Sequence, residues 1–217
     1  KLVEEAVILI SQARQLGNPD GRITWIEIDS EMSPLSKYAE SYQGLRTGDI
    51  ERFIHNFWEV TDFAGVWVAL RSSSELRTPH DGIQLALKWE DGRGDLHKNA
   101  RIMRDQLHDM HESGNRAWGR LGVALNHINL GPSLYSGERL DANVCVVIPK
   151  KSELLAPIWA YCSSEQYQQQ VRGLDQRLSI TNQTLLKVPF DLAHWQKVAA
   201  EKYPHGLPKP FSSDPTQ

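Results

Sequence analysis

Three groups of residues in this chain have types and spacings suited to chemistry. The first lies in "HKNARIMRDQLHDMHES", residues 97–113, which holds His97, His108, His111 and Glu112. His108 and His111 stand at i and i+3, and two imidazoles on one helix face can bind zinc, but no third ligand is spaced to complete the set. The second is Cys145 and Cys162, set in "NVCVVI" and "IWAYCSS". A thiol becomes a nucleophile when nearby cations lower its pKa, and neither apolar context supplies one. Both read as buried thiols of a reducing, cytoplasmic compartment, with no disulfide expected. The third is "GLRTGD", where Gly44 and Gly48 bracket Arg46 and Thr47 and Asp49 follows. Thr47, Gly48 and Asp49 are good turn chemistry, with Arg46 as the one cation of the tip.

Other catalytic patterns fail on inspection. The one Gly-x-Gly is Gly92–Gly94, and the flanking Asp91 and Asp95 would repel a phosphate, so it reads as a turn. No lysine has an acidic residue two positions before it, as many nucleases require, and the chain contains no Pro-Pro dipeptide. The sequence therefore holds no catalytic pattern. Lys98, Arg101 and Arg104 share one face if residues 97–113 form a single helix, which makes a phosphate stripe. Arg120, Arg139, Lys150 and Lys151 stand at strand ends, where a cation reaches a phosphate or is simply solvated. In "LGVALNHINLG", Asn126, His127 and Asn129 follow an apolar strand. An asparagine amide pairs bidentately with adenine, and asparagine equally favours turns.

The elements that must position these residues follow from periodicity. "LVEEAVILISQARQL" places apolar residues on one helical face and "RITWIEI" alternates as a strand. "GVWVAL", "IQLALKW", "LGVALN" and "NVCVVI" are short and β-branched or alternating, so they read as strands. "YSGE" is a tight turn. Ser152, Ser164 and Asp191 are expected N-caps of "ELLAPIWAYC", "EQYQQQVRGL" and "DLAHWQKVAAEKYP", and "RLSITNQTLLKVPF" reads as extended. In "FIHNFWEV", Phe53, Phe57 and Trp58 read as an aromatic anchor, and Trp159 and Trp195 as core. The chain of 217 residues, 40% hydrophobic and 24% charged, suits a soluble α+β domain. No apolar run approaches the roughly 20 residues of a membrane-spanning helix. The net charge of −3 argues mildly against nucleic acid, but residues 1–62 carry 11 acids and 6 bases against 16 and 18 in the remainder. Lys1 and the tail "FSSDPTQ" lead to the expectation of a piece of a longer protein.

Three segments carry a family resemblance. "YQGLRTGDIERFIHNFWEV" resembles the Gly-x-x-Thr-Gly-Asp-x-x-Arg-Phe segment that opens the target-recognition region of bacterial adenine-specific DNA methylases, the type IIG and related restriction–modification proteins. "SLYSGERLDANVCVVIPK" is similar to their Leu-Tyr-x-Gly-x-x-Phe-Asp-x-Asn segment, with Leu140 in place of the usual aromatic. The run from "IWAYCSS" through "LSITNQTLLKVPFDLAHW" to "GLPKPFSSDPTQ" is the closest match. The resemblance covers about residues 40–217, with the segments in the family order, and residues 81–120 depart most.

This resemblance implies a fold like a restriction specificity-subunit recognition domain: a twisted, mostly antiparallel sheet flanked by helices. The division expected is a helical extension over 1–38 leading from a methylase domain, a recognition domain over 39–190, and a C-terminal helix with a proline-rich linker over 191–217. The chain would contact double-stranded DNA through Arg46, Thr47, Lys98, Arg101, Arg104, Arg120, Asn126, His127, Asn129 and Arg139. It would carry no cofactor and no catalytic residue of its own; the parent would use S-adenosylmethionine to methylate a flipped adenine. Thr181, Asn182 and Thr184 are expected to be structural. Two rivals remain: a stand-alone specificity-type adaptor, and a small metal-dependent hydrolase using His97, His108 and His111.

Overall fold

Short apolar runs pair into two four-stranded sheets. In the computed structural model, which describes Gln15, residues 32–61, 63, 65–73, 79 and 81–209, the strands are β1 (Ala39–Gln43), β2 (Ile54–Asn56), β3 (Trp67–Arg71), β4 (Leu85–Lys88), β5 (Gly122–Asn126), β6 (Pro132–Tyr135), β7 (Arg139–Leu140) and β8 (Val144–Pro149). The first sheet has the order β1-β8-β5-β6 and the second β2-β4-β3-β7. Every pair is antiparallel except β3 with β7, where Leu70 faces Arg139. The fold is therefore α+β with two mostly antiparallel sheets, where the sequence reading expects one. Apart from Gln15, the helix expected over residues 2–16 lies outside the described residues, as do the strand at 22–28 and the tail from residue 210.

Strand β8 shows why its sequence is apolar throughout. Side chains alternate between sheet faces. Cys145 and Val147 enter a core with Leu125 of β5 and the helices, while Val144, Val146 and Ile148 pack on the opposite face with Ala124, Tyr135 and Leu140. A strand covered on both sides has no polar face to show. A third core, of Leu45, Phe53, Leu70, Leu87, Trp89 and Leu96, lies under the second sheet. Both thiols are free and buried.

The helices are α1 (Ile50–Phe53), α2 (Asp95–Ile102), α3 (Arg104–Leu107), α4 (Leu155–Cys162), α5 (Glu165–Leu174) and α6 (Leu192–Lys202). Ser164 and Asp191 cap α5 and α6 as expected, accepting from Tyr167 N and His194 N. Ser152 makes no cap; it opens a 3-10 turn, Ser152–Leu154, before α4. Trp159 of α4 and Trp195 of α6 share the main core. The stretch 177–190 holds a 3-10 turn, Thr184–Leu186, and is not extended throughout.

Two further expectations change. Residues 97–113 do not form one helix: the chain breaks at Met103, then reverses through left-handed His108 and Asp109 into a 3-10 turn, Met110–Glu112. Tertiary contacts outweigh the helical period here. The reversal turns His111 inward and lets the Met110 carbonyl accept from Arg46 N at 2.9 Å. Of the expected aromatic anchor, Phe53 is fully buried, but Phe57 and Trp58 are 50% and 64% exposed and stack edge to face on each other. Both belong to a 3-10 turn, Phe57–Glu59, that follows β2 at the sheet edge.

Arg71 joins the two sheets. Its side chain is 0% exposed. From β3 its guanidinium donates to the Leu134 carbonyl of β6 at 2.9 Å, to Ser133 Oγ at 3.3 Å, to the Asp81 carbonyl, and to Glu138 Oε1 at 3.1 Å. Burial lowers its pKa and the Glu138 carboxylate opposes that shift. Arg71→Ala leaves buried carbonyls and Glu138 without their donor. The expected loss is about 3–5 kcal/mol of unfolding free energy by urea titration, the range for breaking a buried ion pair; a loss under about 1 kcal/mol would contradict the role.

Candidate nucleic-acid interface

The tip at residues 44–49 is shaped by contact with another part of the backbone. A Cβ on Gly44 would lie 2.0 Å from the Asp141 carbonyl oxygen. No side chain fits, so glycine here serves the approach of one chain segment to another. Gly44 N donates to the Val144 carbonyl at 3.0 Å and Leu45 N to the Leu140 carbonyl at 2.7 Å. Gly48 takes a left-handed φ of 76°, and Asp49 then caps α1 by accepting from Arg52 N at 3.2 Å. Gly48 and Asp49 thus build the turn and helix start, and Arg46 projects from the outer side.

Beside this tip is a cleft of about 650 Å³ lined by Leu45 to Glu51, Ile54, His127 and Asp141 to Asn143. It brings together three of the residues expected to contact DNA: Arg46, Thr47 and His127. Arg46 is exposed, and among the described residues its side chain makes no ion pair. Thr47 is 3% exposed and its Oγ1 has no hydrogen-bond partner. It is a buried hydroxyl on the cleft wall, where the sequence reading puts a donor on an exposed tip. Asp141 to Asn143 were not among the expected site residues. The usable signal was the Asp-x-Asn pattern, which makes a turn here with Asn143 N donating to Asp141 Oδ1 at 2.9 Å.

The remaining expected residues are dispersed. Lys98 and Arg101 lie on α2 and Arg104 on α3, beyond the Met103 break, so the three do not make the single-helix stripe. Lys98 pairs with Asp95 at 3.3 Å. Arg120 pairs with Glu40 at 3.3 Å. Arg139 lies against two rings, 4.5 Å from the Trp118 centroid and 5.1 Å from that of Trp89, and burial lowers its pKa. Its guanidinium is committed to the aromatic layer between sheet and α2 rather than to solvent. Thr181, Asn182 and Thr184 are structural: the two threonine hydroxyls lie 3.0 Å apart, and Asn182 Nδ2 donates to the Ser41 carbonyl of β1 at 3.1 Å.

Asn126 and Asn129 form a turn. Asn126 Oδ1 accepts from Ile128 N at 2.7 Å and Asn129 N at 3.3 Å, and Asn129 Oδ1 accepts from Gly131 N at 2.7 Å. With Oδ1 occupied, Asn126 keeps only Nδ2 for a base edge and lacks the donor–acceptor pair an adenine contact needs. No protein-family model matches the chain, and no curated protein matches it in sequence.

Two outcomes follow from this geometry. Asn126→Ala removes an acceptor shared by two N–H groups and is expected to cost about 1 kcal/mol, whereas Asn126→Asp keeps the oxygen and should retain most of the stability in urea titration. Equal losses in the two variants would contradict the turn role. His127 has a lowered pKa, chiefly from burial, with Asp141 raising it and Arg46 lowering it further. The unfolded chain therefore binds this proton more readily than the folded one. Stability from the neutral imidazole is fully present above its ordinary pKa of 6.5 and is lost as pH falls through the lowered folded value. Between pH 7 and pH 5 the denaturation midpoint of His127→Asn should fall less than that of the wild type, and parallel curves would refute it.

Proposed function

We propose that this chain is the DNA target-recognition module of an adenine-specific DNA methyltransferase or fused restriction–modification enzyme. In that reading it positions duplex DNA for a methylase domain of the same parent chain, which would bind S-adenosylmethionine. One observation carries it. The segments on which the family resemblance rests are remote in sequence yet converge on one cleft. "LRTGDIERF" supplies the tip and α1, and "LDANV" supplies the opposite wall, the two joined by a backbone bridge between Leu45 and Asp141. "SITNQTL" braces the same place, with Ile180 N donating to the His127 carbonyl at 2.9 Å.

The chemistry of the lining supports contact with DNA at two levels. A phosphate accepts hydrogen bonds only, so it suits the exposed Arg46 at the mouth. Base edges present donors and acceptors together, and the cleft offers both: the Arg46 guanidinium and the His127 ring beside the Glu51 and Asp141 carboxylates. The alternation matches a base edge better than a uniformly basic groove would.

Arg46→Ala in the full-length parent tests this. Binding to all duplex sequences should weaken alike, and the slope of log affinity against log salt should fall by about one unit, the loss of one phosphate contact. Unchanged affinity and slope would remove the cleft mouth from the DNA surface.

A further inference from the structure

The break in residues 97–113 brings together a ligand set that the helical reading separates. His97 comes from α2; His111 and Glu112 come from the 3-10 turn that follows the left-handed pair His108 and Asp109. The ligand atoms of His97, His111 and Glu112 all lie within 4.8 Å of one another. His108 is exposed and takes no part.

Both histidines are buried, 9% and 8% exposed as whole residues. Nδ1 and Nε2 of His97 and Nδ1 of His111 have no hydrogen-bond partner. Glu112 Oε1 lies 3.6 Å from His97 Nε2, which is too long for a hydrogen bond. Buried nitrogens of this kind normally find partners, and three unsatisfied ones at one point require an explanation. The rings meet edge to face at 4.9 Å, and Trp89 closes the other side of His97 at 4.7 Å. His97 thus sits between the rings of Trp89 and His111, with the exposed Glu112 carboxylate beside it.

We propose that His97, His111 and Glu112 bind one zinc ion, which fastens the Met110–Glu112 turn to α2. Two imidazoles and one carboxylate suit zinc in a four-coordinate site, with a water in the fourth position. Oxygen-seeking magnesium and calcium are disfavoured by the imidazoles. Tetrahedral bonds of about 2.0–2.1 Å need ligand atoms roughly 3.3 Å apart, so the set must contract, and the solvent-exposed Glu112 side chain has the freedom to do so. The consequence reaches the cleft. The Met110 carbonyl accepts from Arg46 N, so a metal that fixes residues 110–112 also fixes the backbone carrying Arg46.

The test uses the whole chain, without a histidine tag, stripped by chelator and titrated with zinc alone by calorimetry. Cobalt serves as the absorbing substitute. Expected are one zinc per chain at micromolar affinity or tighter, a cobalt absorption spectrum of four-coordinate type, and a rise in thermal midpoint on saturation. Glu112→Gln changes an exposed side chain and should leave the fold intact by circular dichroism. It should weaken zinc by about ten-fold or more and alter the cobalt spectrum. His108→Ala should bind as the wild type does. Absence of saturable binding, wild-type affinity in Glu112→Gln, or an equal loss in His108→Ala would each overturn the site. The measurement contains no DNA, so its failure leaves the recognition reading standing.

Discussion

A guanidinium withdrawn from water between two sheets has to satisfy every N–H it can, and that demand organises this domain. Arg71 belongs to β3 of one sheet, yet its two terminal nitrogens donate to β6 of the other, to Glu138 and to the Asp81 loop, while Nε finds no partner. Its own carbonyl accepts from Asp141 N at 2.8 Å. The chain between β6 and β8 is therefore gripped at both ends of one residue. Short β7 can then run parallel to β3 for two residues before the chain returns to the first sheet as β8. Moving the charge out would release Glu138 and the turn that ends with it.

The cleft inherits its shape from that seam. Asp141 is fixed from one side by Arg71, and Gly44 closes on it from the other with no room for a Cβ. The Arg46 tip is consequently built on backbone-to-backbone contact on three sides: Val144, Leu140 and Met110 each accept from successive residues 44 to 46. Between these contacts Leu45 enters the third core, so the tip is held from below while Arg46 stays exposed. Phe53 does the anchoring from within α1, and the chain beyond it is free to leave Phe57 and Trp58 in solvent.

What the sequence made legible was mostly local. β3, β4, β5 and β8 were visible because uninterrupted or alternating apolar residues leave few other conformations open, and α5 and α6 because Ser164 and Asp191 supply caps before a helical period. β1, β2 and β7 were not visible as strands, since "AESYQ", "IHN" and "RL" carry no apolar pattern and exist by pairing with remote partners. The same limit applied to the site. Arg46, Thr47 and His127 were named from residue type, but Asp141 and Asn143 belong to the cleft only because of a contact across the chain. Arg139 was read as a phosphate contact or a solvated cation because nothing local announces the rings of Trp89 and Trp118 that hold it. His111 was separated from His97 by a helical period that the tertiary structure breaks.

The disposition of charge also bears on what the chain would contribute as the proposed recognition module. Non-specific affinity for DNA grows with the number of cations free to displace counterions. Here Arg120 is matched by Glu40, Lys98 by Asp95, and Arg139 is given to aromatic rings, in a chain whose net charge is −3. Those three cations are not free to work against phosphate, and the cleft adds carboxylates that a phosphate would avoid. Carboxylates beside donors instead penalise the wrong base edge, because a mismatched partner leaves a desolvated acceptor unpaired. Such a surface gains discrimination at the expense of general affinity. In the proposed reading that division requires the bulk of the phosphate contacts to come from the methylase domain, with this chain adding discrimination to an affinity supplied elsewhere.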